Sequence, residues 1–146
     1  MPDLTGLSHA GGPAADTGVH LIALTGADAG AVAAASDHLD TAVIPGAVAT
    51  AATAPVAEYA IAVLAAGQVS LPAARVELLY FLGQVTEAAQ APAAEPGVIG
   101  CRALLPEILR VAEHCEGDTS EQVREEAADT AESALEAIDT IEASGG

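Results

Sequence analysis

The amino-acid sequence predicts an all-α protein, a right-handed α-solenoid of about three helix pairs with roughly six helices. Three observations carry this. Hydrophobic residues make up 51% of the 146, yet aromatics are only 2%, so much of the apolar content is alanine. Alanine is the best helix former and lets helix axes approach closely, whereas sheets want alternating Val, Ile, Thr and aromatics. Apolar residues recur at i, i+3, i+4 and i+7 along most of the chain. The periodic segments are separated by short Gly- and Pro-containing turns, as helical hairpins require.

Taken in order, residues 1–16 form an irregular lead-in, with Gly11-Gly12-Pro13 and no sustained period. A single helical domain is expected over 17–143, followed by a tail at 144–146. The first helix starts at Asp16-Thr17, offers Val19, Leu21, Ile22 and Leu24 as its apolar face, and ends at Gly26. Asp28 has the side chain of an N-cap for the second helix, which runs through Val32, Ala35 and Leu39 to about Val43 before Pro45-Gly46 stops it. A third helix starts at Thr50 or Thr53 and reaches Gly67, with Val56, Tyr59, Ala60, Val63 and Leu64 on one face. Ser70 is the expected cap of a fourth, with Pro72 in its first turn and Val76, Leu79, Tyr80 and Leu82 continuing the period towards Ala89.

The segment Ala91-Pro92-Ala93-Ala94-Glu95-Pro96-Gly97 is the clearest linker. The fifth helix spans about Val98 to Cys115, with Leu104, Leu105, Ile108, Leu109 and Val111 inward. Gly117 stops it, and Asp118-Thr119-Ser120 starts the last helix. That helix sets Val123, Ala127, Ala131, Leu135, Ile138 and Ile141 against an acidic face of Glu125, Glu126, Asp129, Glu132, Glu136, Asp139 and Glu142. Helix pairs therefore begin near residues 17, 50 and 98, a spacing in the range of two-helix repeats.

Charge narrows the function classes. Four arginines (Arg75, Arg102, Arg110 and Arg124) oppose 21 Asp and Glu, for a formal net charge of −17, and lysine is absent. Such a field repels phosphate backbones and anionic bilayers, so neither nucleic acid nor membrane is an expected partner; a basic protein or peptide is. Acidity also serves plain solubility in an alanine-rich chain. No positive and apolar leader opens the sequence, and the longest uncharged stretch is broken by Pro45-Gly46. Cys101 and Cys115 fall on one helix, ~21 Å apart at ~1.5 Å per residue, out of disulfide reach. Two reduced thiols fit a cytoplasmic location. A mean hydropathy of +0.40 leaves apolar surface to cover, from which a homodimer is expected.

The segment from Asp118 to Ala128, an Asp in the turn followed by Val123-Arg124 and small residues, resembles the start of the second helix of a HEAT repeat. The N-terminal half, with Leu7-Ser8-His9-Ala10, Gly12-Pro13-Ala14, and Gly46-Ala47-Val48 leading to Pro55-Val56, resembles a group of small HEAT-like proteins of high-GC bacteria. The resemblance covers most of the chain. It implies stacked helix pairs whose second helices line one binding surface, and adaptor, immunity or pathway-helper roles.

Motifs of strong catalytic meaning are absent: no phosphate loop, nucleophile elbow or Cys-x-x-Cys. Asp37, His38 and Asp40 form one local cluster, in which a His flanked by carboxylates can act as a general base, or simply face water on an amphipathic helix. Glu58 and Tyr59, with Arg75, Glu77 and Tyr80 on the next helix, form a second. Glu58 is the sole charge in an otherwise apolar stretch, so it is exposed or partnered, with Arg75 as the candidate partner. Two readings follow. In the first the chain is a non-enzymatic interaction module, with Asp37, Asp40, Arg75 and Glu77 at its binding face. In the second it is a small enzyme of a specialised-metabolite or peptide-modification pathway, with His38, Glu58, Tyr59 and Tyr80 as acid–base groups in an inter-helix cavity. Glu113-His114-Cys115-Glu116 with Asp118 has zinc-ligand residue types, but consecutive helical residues point in different directions, so no metal and no cofactor is assigned.

Overall fold

A computed structural model of the protein describes residues 8–9, 12–13 and 17–144. Within the expected lead-in, β1 (Ser8–His9) and β2 (Gly12–Pro13) pair antiparallel; the rest of 1–16 and the end of the tail lie outside the described residues. The described remainder is helical: α1 (Thr17–Leu24), α2 (Ala29–His38), α3 (Thr53–Ala65), α4 (Pro72–Ala88), α5 (Val98–Cys115) and α6 (Glu121–Ala143).

Local chemistry explains most of the boundaries. The Asp28 carboxylate accepts from the Gly30 and Ala31 amides at 3.0 and 3.2 Å, satisfying donors that the first turn of α2 leaves over. After His38 the helix loosens into a π-turn over Leu39–Val43, and Pro45–Ala47 closes as one turn of 3₁₀-helix. The Thr53 hydroxyl then accepts from the Thr50 amide at 2.8 Å and donates to the Val43 carbonyl at 2.7 Å, which fixes the start of α3 against the end of the π-turn. Ser120 caps α6 by accepting from the Val123 amide.

α2 lies against α4 and α4 against α6, while α3 lies against α5; α1 packs on α2, α3 on α4, and α5 on both α4 and α6. The linker does not separate the helices on its two sides. The Arg102 guanidinium on α5 donates to the Ala89 and Ala91 carbonyls at 2.9 and 2.8 Å, tying the end of α4 and the first linker residue to α5. Gly100 lies where α5 meets α3: a Cβ there would come within 2.9 Å of the Ala54 methyl.

The core is leucine, valine and alanine around a single buried Phe81. Ala127, Ala131, Ala134 and Ala137 are all buried on α6, so this helix seats against α4 and α5 through methyl groups. Thr130 is buried with them, and its hydroxyl donates to the Leu79 carbonyl of α4 at 2.9 Å.

Three expectations need correction. Ser70 does not cap α4: its hydroxyl donates to the Thr25 carbonyl at 3.2 Å, and Leu71 takes the cap position with Pro72 following. Only Leu21 and Leu24 of the α1 face are buried; Val19 and Ile22 are 72% and 63% exposed. Leu135 is half exposed, because the buried face of α6 follows its alanines instead.

Candidate functional site: an acidic seam across α2, α4 and α6

Three of the four expected binding residues, Asp37, Asp40 and Glu77, lie near one another where the end of α2 meets α4. Ser36, on the last turns of α2, donates its hydroxyl to Glu77 Oε2 of α4 at 2.5 Å. Asp40 sits in the π-turn beyond α2. Burial first, then the neighbouring carboxylates of Glu77 and Asp37, push its carboxyl above the ordinary range. Glu126 on α6 is pushed the same way, by burial, then by Asp129 and Glu77. Glu77 is therefore the middle member of a carboxylate series that spans three helices.

Beyond Glu77 the seam opens into two adjoining grooves between α4 and α6. The first, ≈ 350 Å³, is lined by Tyr80, Gly83, Gln84, Glu87, Glu126, Asp129, Thr130 and Ser133. The second, ≈ 360 Å³, shares Gly83, Glu87 and Ser133 and adds Thr86, Gln90 and Glu136. No Arg or His stands among these lining residues. Tyr80 is half exposed, and Gln84 Oε1 is buried without a hydrogen-bond donor. Chemically, the seam offers acceptors and one aromatic ring, which suits ammonium or guanidinium groups.

The arginines lie elsewhere. Arg75 turns from the start of α4 to Asp118, with Nε 3.0 Å from Oδ2, and donates to the Val69 carbonyl at 3.0 Å. It is thus neither the partner of Glu58, which is exposed on α3, nor part of the acidic seam. Arg124 donates to the Asp118 carbonyl at 2.9 Å, and Arg102 holds the linker. Arg110 lines a separate ≈ 300 Å³ trough between α3 and α5 with Glu107 and His114 over Ile61, Ala65 and Val111.

The four acid–base candidates do not share a cavity. His38 stacks on His20 of α1, ring centroids 4.2 Å apart and planes 14° from parallel. The Tyr59 hydroxyl donates to the Leu21 carbonyl at 3.3 Å, and so serves the packing of α1. Of the four, only Tyr80 lines either α4–α6 groove. Cys101 is buried and its thiol is pushed up to about 11 by that burial, a poor nucleophile. Cys115 is buried as well. Among the described residues, no three His, Cys, Asp or Glu side chains are placed to hold one metal ion, and no helix is long and apolar enough to cross a membrane.

Gly83, Gln84 and Glu87 were not singled out by the sequence. Glu126, Asp129 and Glu136 are legible in the sequence only as part of the acidic face of the last helix. The signal that could have found them is a polar stripe on α4 (Tyr80, Gln84, Glu87) matched to one on α6, but pairing the two requires knowing that α6 lies beside α4. In comparisons with protein-family models, curated proteins and solved structures, nothing matches this chain.

Proposed function

We propose that this chain is a non-enzymatic interaction module: a HEAT-like right-handed stack of three helix pairs whose second helices, α2, α4 and α6, present an acidic face to a basic protein or peptide. The observation that carries the reading is the carboxylate series Asp40–Glu77–Glu126. Its outer members are both pushed towards the protonated form, by burial first and then by carboxylate neighbours. Like charges held together cost stability in the free protein. A cationic partner turns that cost into binding energy and speeds encounter. Self-association through the exposed Val19 and Ile22 is a compatible part of the proposal.

A chain of charge −17 attracts any polycation loosely, so the test must separate this face from bulk charge. Two triple variants change charge equally: Asp40→Asn with Glu77→Gln and Glu126→Gln on the seam, and Glu95→Gln with Glu113→Gln and Glu116→Gln outside it. Titration with an arginine-rich 12-residue peptide at ~0.15 M salt, below which weaker screening exaggerates surface charge, is expected to show about tenfold weaker binding for the seam variant alone. Equal losses in both variants would leave only bulk charge attraction, and the reading would fall.

A further inference from the structure

The α4–α6 grooves meet at Gly83, a residue whose missing side chain the fold does not require. Glycine is among the least favourable residues in a helix interior, and Gly83 lies well inside α4. Its backbone is not in the left-handed region. A Cβ built on it would meet only Thr130 Oγ1 at 3.8 Å, an ordinary contact. At Gly100 packing explains the glycine, since a Cβ there would come 2.9 Å from Ala54. At Gly83 nothing internal does, and the residue is shared by the walls of both grooves.

We infer that the α4–α6 seam is a two-subsite cleft for a basic peptide segment, whose backbone crosses over Gly83 and whose two arginine side chains, ~10 Å apart, enter the grooves on either side. This rests on the acidic-face reading and makes it specific. In the first groove Glu126 and Asp129 share the lining with the half-exposed Tyr80, and the buried Gln84 Oε1 lacks a donor. A planar guanidinium supplies donors in a fork and stacks on an aromatic ring, which a compact ammonium does less well. In the second groove Glu136 takes the other cation, and Glu87 stands on the shared wall. Asp129 and Glu136 are two helical turns apart, ~10 Å at ~1.5 Å per residue. Three residues of polyproline-II peptide at ~3.1 Å each cover nearly the same span, and with three residues per turn they return both arginines to one face.

The test uses three blocked, fluorescein-labelled peptides on the full chain: Gly-Arg-Ala-Ala-Arg-Gly, Gly-Ala-Arg-Arg-Ala-Gly, and the first with one arginine replaced by alanine. The spaced peptide is expected to bind at least fivefold more tightly than the adjacent-arginine peptide of equal charge. Gly83→Ala is expected to weaken it at least fivefold while its Tm stays at or above that of the parent protein. Tyr80→Leu is expected to weaken the spaced peptide and the single-arginine peptide alike, since both need the first groove. Equal binding of spaced and adjacent peptides overturns the two-subsite cleft and leaves the acidic-face reading standing. So does unchanged binding by Gly83→Ala, or a fall in its Tm, which would assign the glycine to packing. If no arginine peptide binds the parent protein, both readings fall together.

Discussion

Arg75 and Asp118 meet as a part-buried ion pair, with Arg75 Nε 3.0 Å from Asp118 Oδ2 and the two side chains only 19% and 17% exposed. Nε faces that oxygen away from hydrogen-bonding geometry, while Nη2 donates to Oδ1 at 3.4 Å. The pair joins the start of α4 to the turn that opens α6. Asp118 also accepts from the Ser120 amide at 2.9 Å, so one carboxylate serves both the inter-helix contact and the turn.

Asp118→Ala removes both roles and leaves a guanidinium partly buried without its counter-charge. Exposed pairs contribute ~0–1 kcal/mol and breaking fully buried ones costs ~3–5 kcal/mol, which places this one at about 2 kcal/mol. Asp118→Asn keeps an oxygen for the Ser120 amide and is expected to lose about half as much. Urea denaturation of the two variants checks the order. Equal losses would mean that the charge carries the effect and the turn contributes little.

A second prediction concerns where glycine is needed. Gly97 precedes α5 with φ 80°, and a Cβ there would stand 2.6 Å from the Thr50 carbonyl oxygen. Gly46 has a similar φ of 59° with open space around it. Gly46→Ala therefore meets only the left-handed penalty, ~1–2 kcal/mol. Gly97→Ala adds a clash with backbone that cannot step aside, and is expected to cost at least ~3 kcal/mol in all. Denaturant midpoints of the two single variants, measured side by side, decide it: similar shifts would show that the contact of the linker with the start of α3 can relax.

The sequence carried the helices well and their faces less well. Asp28, Pro72, Gly97 and Gly117 are local signals acting on the nearest backbone, and the helix boundaries follow them. Ser70 misled because a carbonyl distant in sequence, that of Thr25, competes for its hydroxyl. Leu135 misled for a different reason. In an alanine-rich helix the bulky residues are a poor guide to the buried side, since α6 packs on both α4 and α5 and buries Ala127, Ala131, Ala134 and Ala137 there while Leu135 stays half exposed. The site shows the same division. Asp37, Asp40 and Glu77 are legible as candidates for a binding face and Tyr80 as an acid–base candidate, but the grooves are closed by α6, and α5 stands between α4 and α6 in the chain. A reading that proceeds by neighbours along the sequence does not join Gln84 to Glu126.

The carboxylate series gives the protein a pH dependence of definite sign. The folded-state pKa of Asp40 is raised above its ordinary value by burial, then by Glu77 and Asp37; that of Glu126 is raised by burial, then by Asp129 and Glu77. A carboxyl with a raised folded pKa binds its proton more readily in the native state than in the unfolded one. Its contribution is therefore unfavourable at neutral pH, and it is relieved as pH falls through the raised folded value towards the ordinary ~4. This is the reverse of the usual salt-bridged carboxylate, whose stabilisation is lost on acidification. The protein is expected to gain thermal stability when pH is lowered from 7 to about 5.5, still above its isoelectric point near 4.1. Asp40→Asn removes one of the two titrating groups together with its repulsion of Glu77. It is expected to melt higher than the parent at pH 7 and to gain less on acidification. Melting curves of both proteins across this range settle the matter. An Asp40→Asn variant less stable than the parent at pH 7 would mean that the Asp40 carboxylate has a stabilising partner, and that the seam is not strained by its own charge.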